Sequence, residues 1–85
     1  MNLKEIIALI SYAKNYNKQI RIFLDDNRSI TGKIKSVSSI IHDSIGNPYI
    51  IITISYKEFS FLTCKIQYKN ESIKVDQIYY AVIIN

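Results

Sequence analysis

Lysine and tyrosine side chains recur at alternating positions in the strand-like parts of this chain. Lys33 and Lys35 project from one face of an early segment, and Lys65 and Lys69 project from one face of a later segment. The formal net charge is +4, and lysines of this kind can neutralise phosphates while neighbouring rings stack on unpaired bases. These residues therefore predict contacts with RNA or single-stranded nucleic acid. Tyrosine is also a good strand former and lysine keeps a sheet face solvated, so a surface without a ligand stays open as the alternative.

The remaining reactive side chains do not form a pattern typical of catalysis. The seven acidic residues are scattered, and none is spaced to pair with His42. Asp25 and Asp26 are interpreted as part of a solvated turn, and Cys64, inside an expected strand, as a small buried hydrophobic residue. One histidine and one cysteine do not supply a zinc site, and there is no glycine-rich phosphate loop. We therefore expect a protein that is not an enzyme and that uses no metal and no cofactor.

The N-terminal segment has the spacing of an amphipathic helix. Apolar residues recur there at intervals of three and four, and Asn2 with Glu5 three residues later resembles a capping box. The pattern predicts a helix from about residue 3 to about residue 15. Its apolar stripe must pack on the rest of the domain or on a partner.

The segment after this helix predicts a β-hairpin. Isoleucine or leucine takes every second position over 20–25, and Ile30, Gly32 and Ile34 alternate with polar residues over 30–35. Residues 25–28 form the polar turn between these two strands. Gly32 lies inside the second strand, where glycine indicates a sharp bend or a close approach of another backbone.

Three further strands are predicted in the second half. After a loop over 42–48, strands over 49–57 and 61–69 form a hairpin closed at 58–60. Residues 69–72 are expected to form a turn before a final strand over 73–84, with a kink at Asp76 and Gln77. The apolar tail from Tyr79 to Ile84 indicates a core or edge strand that could form the seam of a homo-oligomer.

Length and composition limit the class of protein. The chain has 85 residues, 48% of them hydrophobic and 21% charged, which is typical of one folded domain over 1–85. No apolar run is long enough to cross a bilayer, and the first residues lack the pattern of a signal peptide. We expect a cytoplasmic protein without a membrane segment.

The first hairpin also resembles a known family. Its sequence, IRIFLDDNRSITGKIKSV, is similar to the first Sm motif, most closely in its bacterial Hfq form, through Phe23, Leu24, Asn27, Gly32 and Ile34. This resemblance covers about the first half of the expected barrel. It implies a mainly β fold, namely a small five-stranded Sm-like or SH3-type barrel with an N-terminal α-helix (helix about 3–15, barrel about 19–84).

The Sm resemblance also implies base contacts and an assembly. In that pattern the loop after the second strand touches a base near the pore of a ring, and His42 stands at the position of the loop asparagine. His42 and the neighbouring Tyr49 are therefore expected base contacts, the alternative being an exposed histidine without a role. Edge strands pair between subunits in Sm rings, which favours a homo-oligomer.

Two other Sm-fold groups resemble the chain. YolD-like proteins of low-GC Gram-positive bacteria and their phages share the Ile-x-Gly-x-Ile step of residues 30–34 and a late isoleucine-rich strand. WYL ligand-sensing domains share a glycine-containing loop before Tyr-Ile, as at residues 46–50. Because one architecture serves several functions, the fold does not choose among them.

The sequence therefore predicts a non-enzymatic Sm-like regulator that binds RNA or single-stranded nucleic acid. The second hypothesis is a protein-binding module of a phage, plasmid or other mobile element that modulates a host factor. A third is a sensor of a small anionic ligand.

Overall fold

A computed structural model describes residues 1–85 as a mainly β protein with an N-terminal helix. The elements are α1 (Leu3–Asn15), β1 (Gln19–Leu24), β2 (Ser29–Val37), β3 (Ile41–His42), β4 (Pro48–Tyr49), β5 (Ile51–Ser60), β6 (Lys65–Lys74), a 3₁₀ helix (Val75–Gln77) and β7 (Ile78–Ile84). Five strands form one antiparallel sheet in the order β6-β5-β2-β1-β7, and β3 pairs with β4 separately. The strands β6 and β7 lie at the two edges of the large sheet.

The helix begins where its sequence predicts. The Asn2 side chain accepts a hydrogen bond of 2.8 Å from the backbone N–H of Glu5, which satisfies one of the free amides of the first turn. Ile6, Ile10 and Ala13 are buried against the sheet. The predicted helix and its N-cap are confirmed.

The first hairpin is confirmed as well. β1 and β2 pair with Ile22 opposite Ile30, and the backbone N–H of Leu24 donates to the carbonyl of Arg28 across the turn, at 2.8 Å. Asn27 has a φ of 70°, a left-handed conformation that asparagine tolerates better than most residues.

Gly32 marks a close approach of two neighbouring strands. A Cβ atom at this position would lie 2.1 Å from the carbonyl oxygen of Ser55 on β5. No side chain fits in that space, so glycine allows the backbone of β5 to lie against β2 at this point. The predicted close backbone approach is confirmed.

The second hairpin differs from the prediction in its boundaries. β5 continues to Ser60, the turn occupies 61–64, and β6 runs to Lys74, so the expected closure at 58–60 and the expected turn at 69–72 are wrong. Glu71 lies within β6 opposite Ile54, and its carboxylate accepts hydrogen bonds from Arg28 and Tyr56. Cys64 lies in the turn with a φ of 52° and is exposed, so its expected burial is also wrong.

The last segment differs from the prediction at its start: residues 73 and 74 belong to β6, and the final strand is Ile78–Ile84, so the expected strand over 73–84 is wrong in its first part. The kink expected at Asp76 and Gln77 is a single 3₁₀ turn that leads from β6 into β7. β7 pairs with β1 on one side and forms a sheet edge on the other, as expected for an edge strand.

The core is almost entirely aliphatic. Of its 14 residues, ten are isoleucine, and the others are Ala13, Leu24, Val75 and Ala81. None of the aromatic residues is among them, and no polar or charged side chain is buried. Every ring in the protein is therefore at least partly accessible.

Candidate functional site: a basic cleft at the base of a hairpin arm

A hairpin arm projects from the large sheet. The pairing of β2 with β5 ends at Lys33 opposite Ser55, whereas β5 and β6 remain paired up to Ser60 opposite Lys65. We call residues 56–69 the arm, because its two strands pair only with each other. A cleft opens where the arm leaves β2.

This basic cleft has a volume of about 360 Å³. It is lined by residues of β1, β2, β5 and β6, namely Gln19, Thr31, Gly32, Lys33, Lys35, Ser55, Tyr56, Lys57 and Tyr68. The lining contains three lysines, two tyrosine rings and no carboxylate. A space with this lining suits an anion that also carries a flat apolar group.

The cleft lysines have no acidic partner. The ion pairs of the protein join Arg28 to Asp26, Arg28 to Glu71 and Lys69 to Glu58. Lys33, Lys35 and Lys57 take part in none of these pairs, and all three are exposed. Their charges therefore reinforce one another at the cleft and are available to an anion.

Two contacts extend the basic surface, one between Lys57 and the Tyr68 ring and one between Arg21 and Thr31. The Lys57 Nζ atom lies 5.6 Å from the centroid of the Tyr68 ring, which is 72% exposed. Arg21 donates from Nε to the Thr31 hydroxyl at 2.8 Å, which places a fourth cation beside the cleft. Tyr68 thus presents a free ring next to several positive charges.

A hydrogen-bonded network fixes the base of the arm. The Tyr56 hydroxyl donates to Glu71 Oε1 at 3.2 Å, and Arg28 donates to both oxygens of Glu71, the shorter bond measuring 2.9 Å. Burial, reinforced by the neighbouring Glu71, raises the pKa of Tyr56 above its ordinary value. Because Arg28 belongs to the end of the β1–β2 turn, this network ties that turn to the arm.

The basic cleft contains only two of the predicted site residues. Lys33 and Lys35 line the cleft. Lys69 pairs with Glu58, and this hydrogen bond raises the pKa of Lys69. Lys69 follows Tyr68 in β6, so the two side chains project to opposite faces of the arm and Lys69 lies away from the cleft. Lys65 is exposed at the far end of the arm.

The predicted base contacts lie on the small β3–β4 hairpin. His42 is exposed and pairs with Pro48, and the ring of Tyr49 has the Lys74 Nζ atom 4.5 Å from its centroid. Tyr49 lines a second cavity that shares no lining residue with the cleft. His42 and Tyr49 therefore belong to a different part of the surface from Lys33 and Lys35.

Sequence reasoning did not identify Lys57, Tyr68 or Arg21 as site residues. The alternation of β5 and β6 places Lys57 opposite Tyr68, but this pair becomes visible only once the turn is known to lie at 61–64. The alternation that places Lys57 and Tyr68 together is present in the sequence, but the wrong position predicted for the turn prevented the pair from being recognised.

The second cavity is an apolar groove of about 160 Å³ between the start of α1 and the β3–β4 hairpin. It is lined by Leu3, Ile7, Ile40, Pro48, Tyr49, Ile50, Val75 and Asp76. Asp76 is the single charged residue of this lining.

No protein-family model, curated protein or solved structure matches the chain. No group of three or more His, Cys, Asp and Glu side chains is arranged to hold a metal ion. The helix is too short to cross a membrane.

Proposed function

We propose that this protein is a non-enzymatic, cytoplasmic regulator of Sm-like type that binds RNA or single-stranded nucleic acid in the basic cleft. One observation carries the proposal: Lys33, Lys35 and Lys57 line a single cleft without acidic partners, beside the exposed ring of Tyr68.

The chemistry of the cleft favours single strands. Lysine ammonium groups pair with phosphates and release counterions, whereas an accessible ring stacks on a base only when that base is unpaired. A tyrosine beside several lysines therefore suits a flexible strand better than a duplex, whose bases are already stacked.

The architecture is compatible with the Sm-like part of the proposal. An N-terminal helix precedes a five-stranded antiparallel sheet, and the backbone of β5 approaches β2 closely at Gly32, the glycine of the Sm-like motif. Glycines at such positions are what a small curved sheet requires.

The proposal is tested by fluorescence anisotropy with a labelled oligouridylate and a labelled random RNA pool. The triple variant Lys33→Gln/Lys35→Gln/Lys57→Gln should bind about tenfold or more weakly at low salt, because three phosphate contacts are lost. The parent should lose affinity with a log–log salt slope of about −2, since each phosphate neutralised on a single strand contributes about 0.7. The triple variant should have a much flatter slope.

A matched control removes three other exposed lysines. The variant Lys4→Gln/Lys14→Gln/Lys18→Gln lowers the net charge from +4 by the same three charges but leaves the cleft intact. It should bind nearly as tightly as the parent. Equal loss in both triple variants would show that net charge alone attracts RNA, and absence of salt-dependent binding by the parent would rule out the proposal.

The predicted contacts outside the cleft are tested separately. His42→Ala and Tyr49→Ala should change the preference for particular bases more than the salt slope, because rings read bases and lysines read phosphates. Lys65→Gln/Lys69→Gln should have a smaller effect than the cleft variant, since Lys69 already pairs with Glu58.

A second candidate function is supported by the far end of the arm. Phe61 is 87% exposed and Leu62 is 98% exposed, and side chains of this kind favour contact with a protein surface. We therefore retain a protein-binding module, such as one that a mobile element directs at a host factor, as the alternative function.

A further inference from the structure

The far end of the arm carries a cluster of exposed apolar side chains. Phe59, Phe61, Leu62 and Ile66, which we call the arm end, are 50%, 87%, 98% and 64% exposed. The rings of Phe59 and Phe61 pack edge to face, with centroids 5.0 Å apart. Contiguous apolar surface of this kind on a small domain marks an interaction site.

The apolar groove has the size of one such side chain. Its volume is about 160 Å³, and a cavity of about 150 Å³ with apolar walls accommodates a benzene ring. Six of its eight lining residues are hydrophobic. The groove can therefore take a phenylalanine or leucine side chain and exclude water from both surfaces.

The groove cannot be filled by the arm of the same molecule. Ile50, which lines the groove, directly precedes β5, and Phe61 directly follows it. About 35 Å of extended strand separates these two residues, and the longest dimension of the molecule is 44 Å. The groove and the arm end therefore lie at opposite ends of β5.

Charge supports a second copy of this chain as the partner. Lys65 is the one charged residue between positions 59 and 66, and Asp76 is the one charged residue of the groove lining. Lys74 lies outside the lining and contacts the Tyr49 ring instead of pairing with Asp76. An arm end seated in the groove would bring Lys65 towards the unpaired Asp76, which favours this orientation of docking.

We propose that the arm end of one copy docks in the apolar groove of a second copy. The contact is head to tail, so successive copies either close into a ring or continue as an open chain. The residues of the arm end do not line the basic cleft, so this inference does not depend on nucleic-acid binding.

Mass measurement on two complementary variants tests this docking. The arm variant Phe61→Ser/Leu62→Ser retains the groove, and the groove variant Ile40→Arg retains the arm. Because all three replaced side chains are exposed, both variants should fold, which circular dichroism checks. The parent should gain mass between low and high micromolar concentration in light scattering. Each variant alone should remain a monomer, and their equimolar mixture should double in mass to a 1:1 pair.

The control variant Tyr16→Ser/Ile45→Ser removes exposed apolar side chains that belong to neither surface. It should associate like the parent. The inference is wrong if the parent is a monomer throughout or if the mixture stays monomeric. It is also wrong if the arm variant still associates, and that result would make the free edge of β7 the better candidate for the contact between copies.

Discussion

At the scale of single residues, Gly32 decides the geometry of the candidate site. The carbonyl oxygen of Ser55 occupies the space that a Cβ atom at position 32 would fill. Just beyond this close contact the arm leaves β2, and the basic cleft opens beside the arm. A larger residue at position 32 would push β5 away and widen or destroy the cleft.

Gly32→Val should therefore be strongly destabilising. Overpacking a close-packed contact costs about 1–3 kcal/mol or more, and each kcal/mol lowers the Tm of a domain of this size by about 4–8 °C. Thermal unfolding followed by circular dichroism measures the effect. Lys33→Val, at the exposed neighbouring position of the same strand, is the control and should melt close to the parent. Equal melting of Gly32→Val and the parent would refute the role given to Gly32.

At the scale of elements, the loop between β3 and β4 is organised by one carboxylate. Asp43 Oδ1 accepts hydrogen bonds from the backbone N–H groups of Ile45 and Asn47, at 3.0 and 2.8 Å. The N–H of Asn47, helped by that of Ile45, lowers the pKa of Asp43 below its ordinary value of 3.8. The charged form of Asp43 therefore stabilises this loop.

This carboxylate gives a pH-dependent prediction. Because the pKa of Asp43 is lower in the folded state than in the unfolded state, its contribution is complete above the ordinary value of 3.8 and is lost as the pH falls through the folded pKa. Asp43→Asn keeps the Oδ1 acceptor but does not titrate. The Tm of the parent should exceed that of the variant near neutral pH, and the difference should shrink below about pH 4. Parallel Tm curves between pH 6 and pH 2 would contradict the prediction.

The elements also show what the sequence could predict. The helix and the first hairpin have one apolar and one polar face, so their periodicity identifies both their type and their limits. Most of β6 is exposed on both faces, so alternation there carries no information about where the strand ends. Lys33 and Lys35 could be recognised from the sequence as basic strand residues. Their position beside Lys57 and Tyr68 in one cleft depends on where β5 stops pairing with β2, and strand pairing over this distance cannot be predicted from local alternation.

At the scale of the whole molecule, stability is unevenly distributed. The core residues belong to α1, to the sheet up to Ile54 and to the segment after Glu71, and none belongs to the arm. The arm is a two-stranded hairpin, an element that is marginally stable by itself in water. Its attachment depends on the network of Tyr56, Glu71 and Arg28 at its base.

Amide hydrogen exchange should resolve this gradient. At a concentration where the protein is monomeric, amides of residues 57–68 should be at least about a hundredfold less protected than those of Ile20 and Ile22 in β1. Nuclear magnetic resonance of the exchanging protein measures both sets in one sample. Uniform protection along β5 and β6 would show that the arm unfolds only with the core.

Because the core is aliphatic, isoleucine methyl groups report on the interior and aromatic rings report on the surface. The ten buried isoleucines place their δ1 methyl groups inside the protein, where methyl resonances report on core packing. The seven tyrosines all lie outside the core, and with no tryptophan present they supply nearly all of the intrinsic fluorescence. Quenching of that fluorescence would therefore report on what touches the surface, and the isoleucine methyl groups would show independently whether the interior has changed.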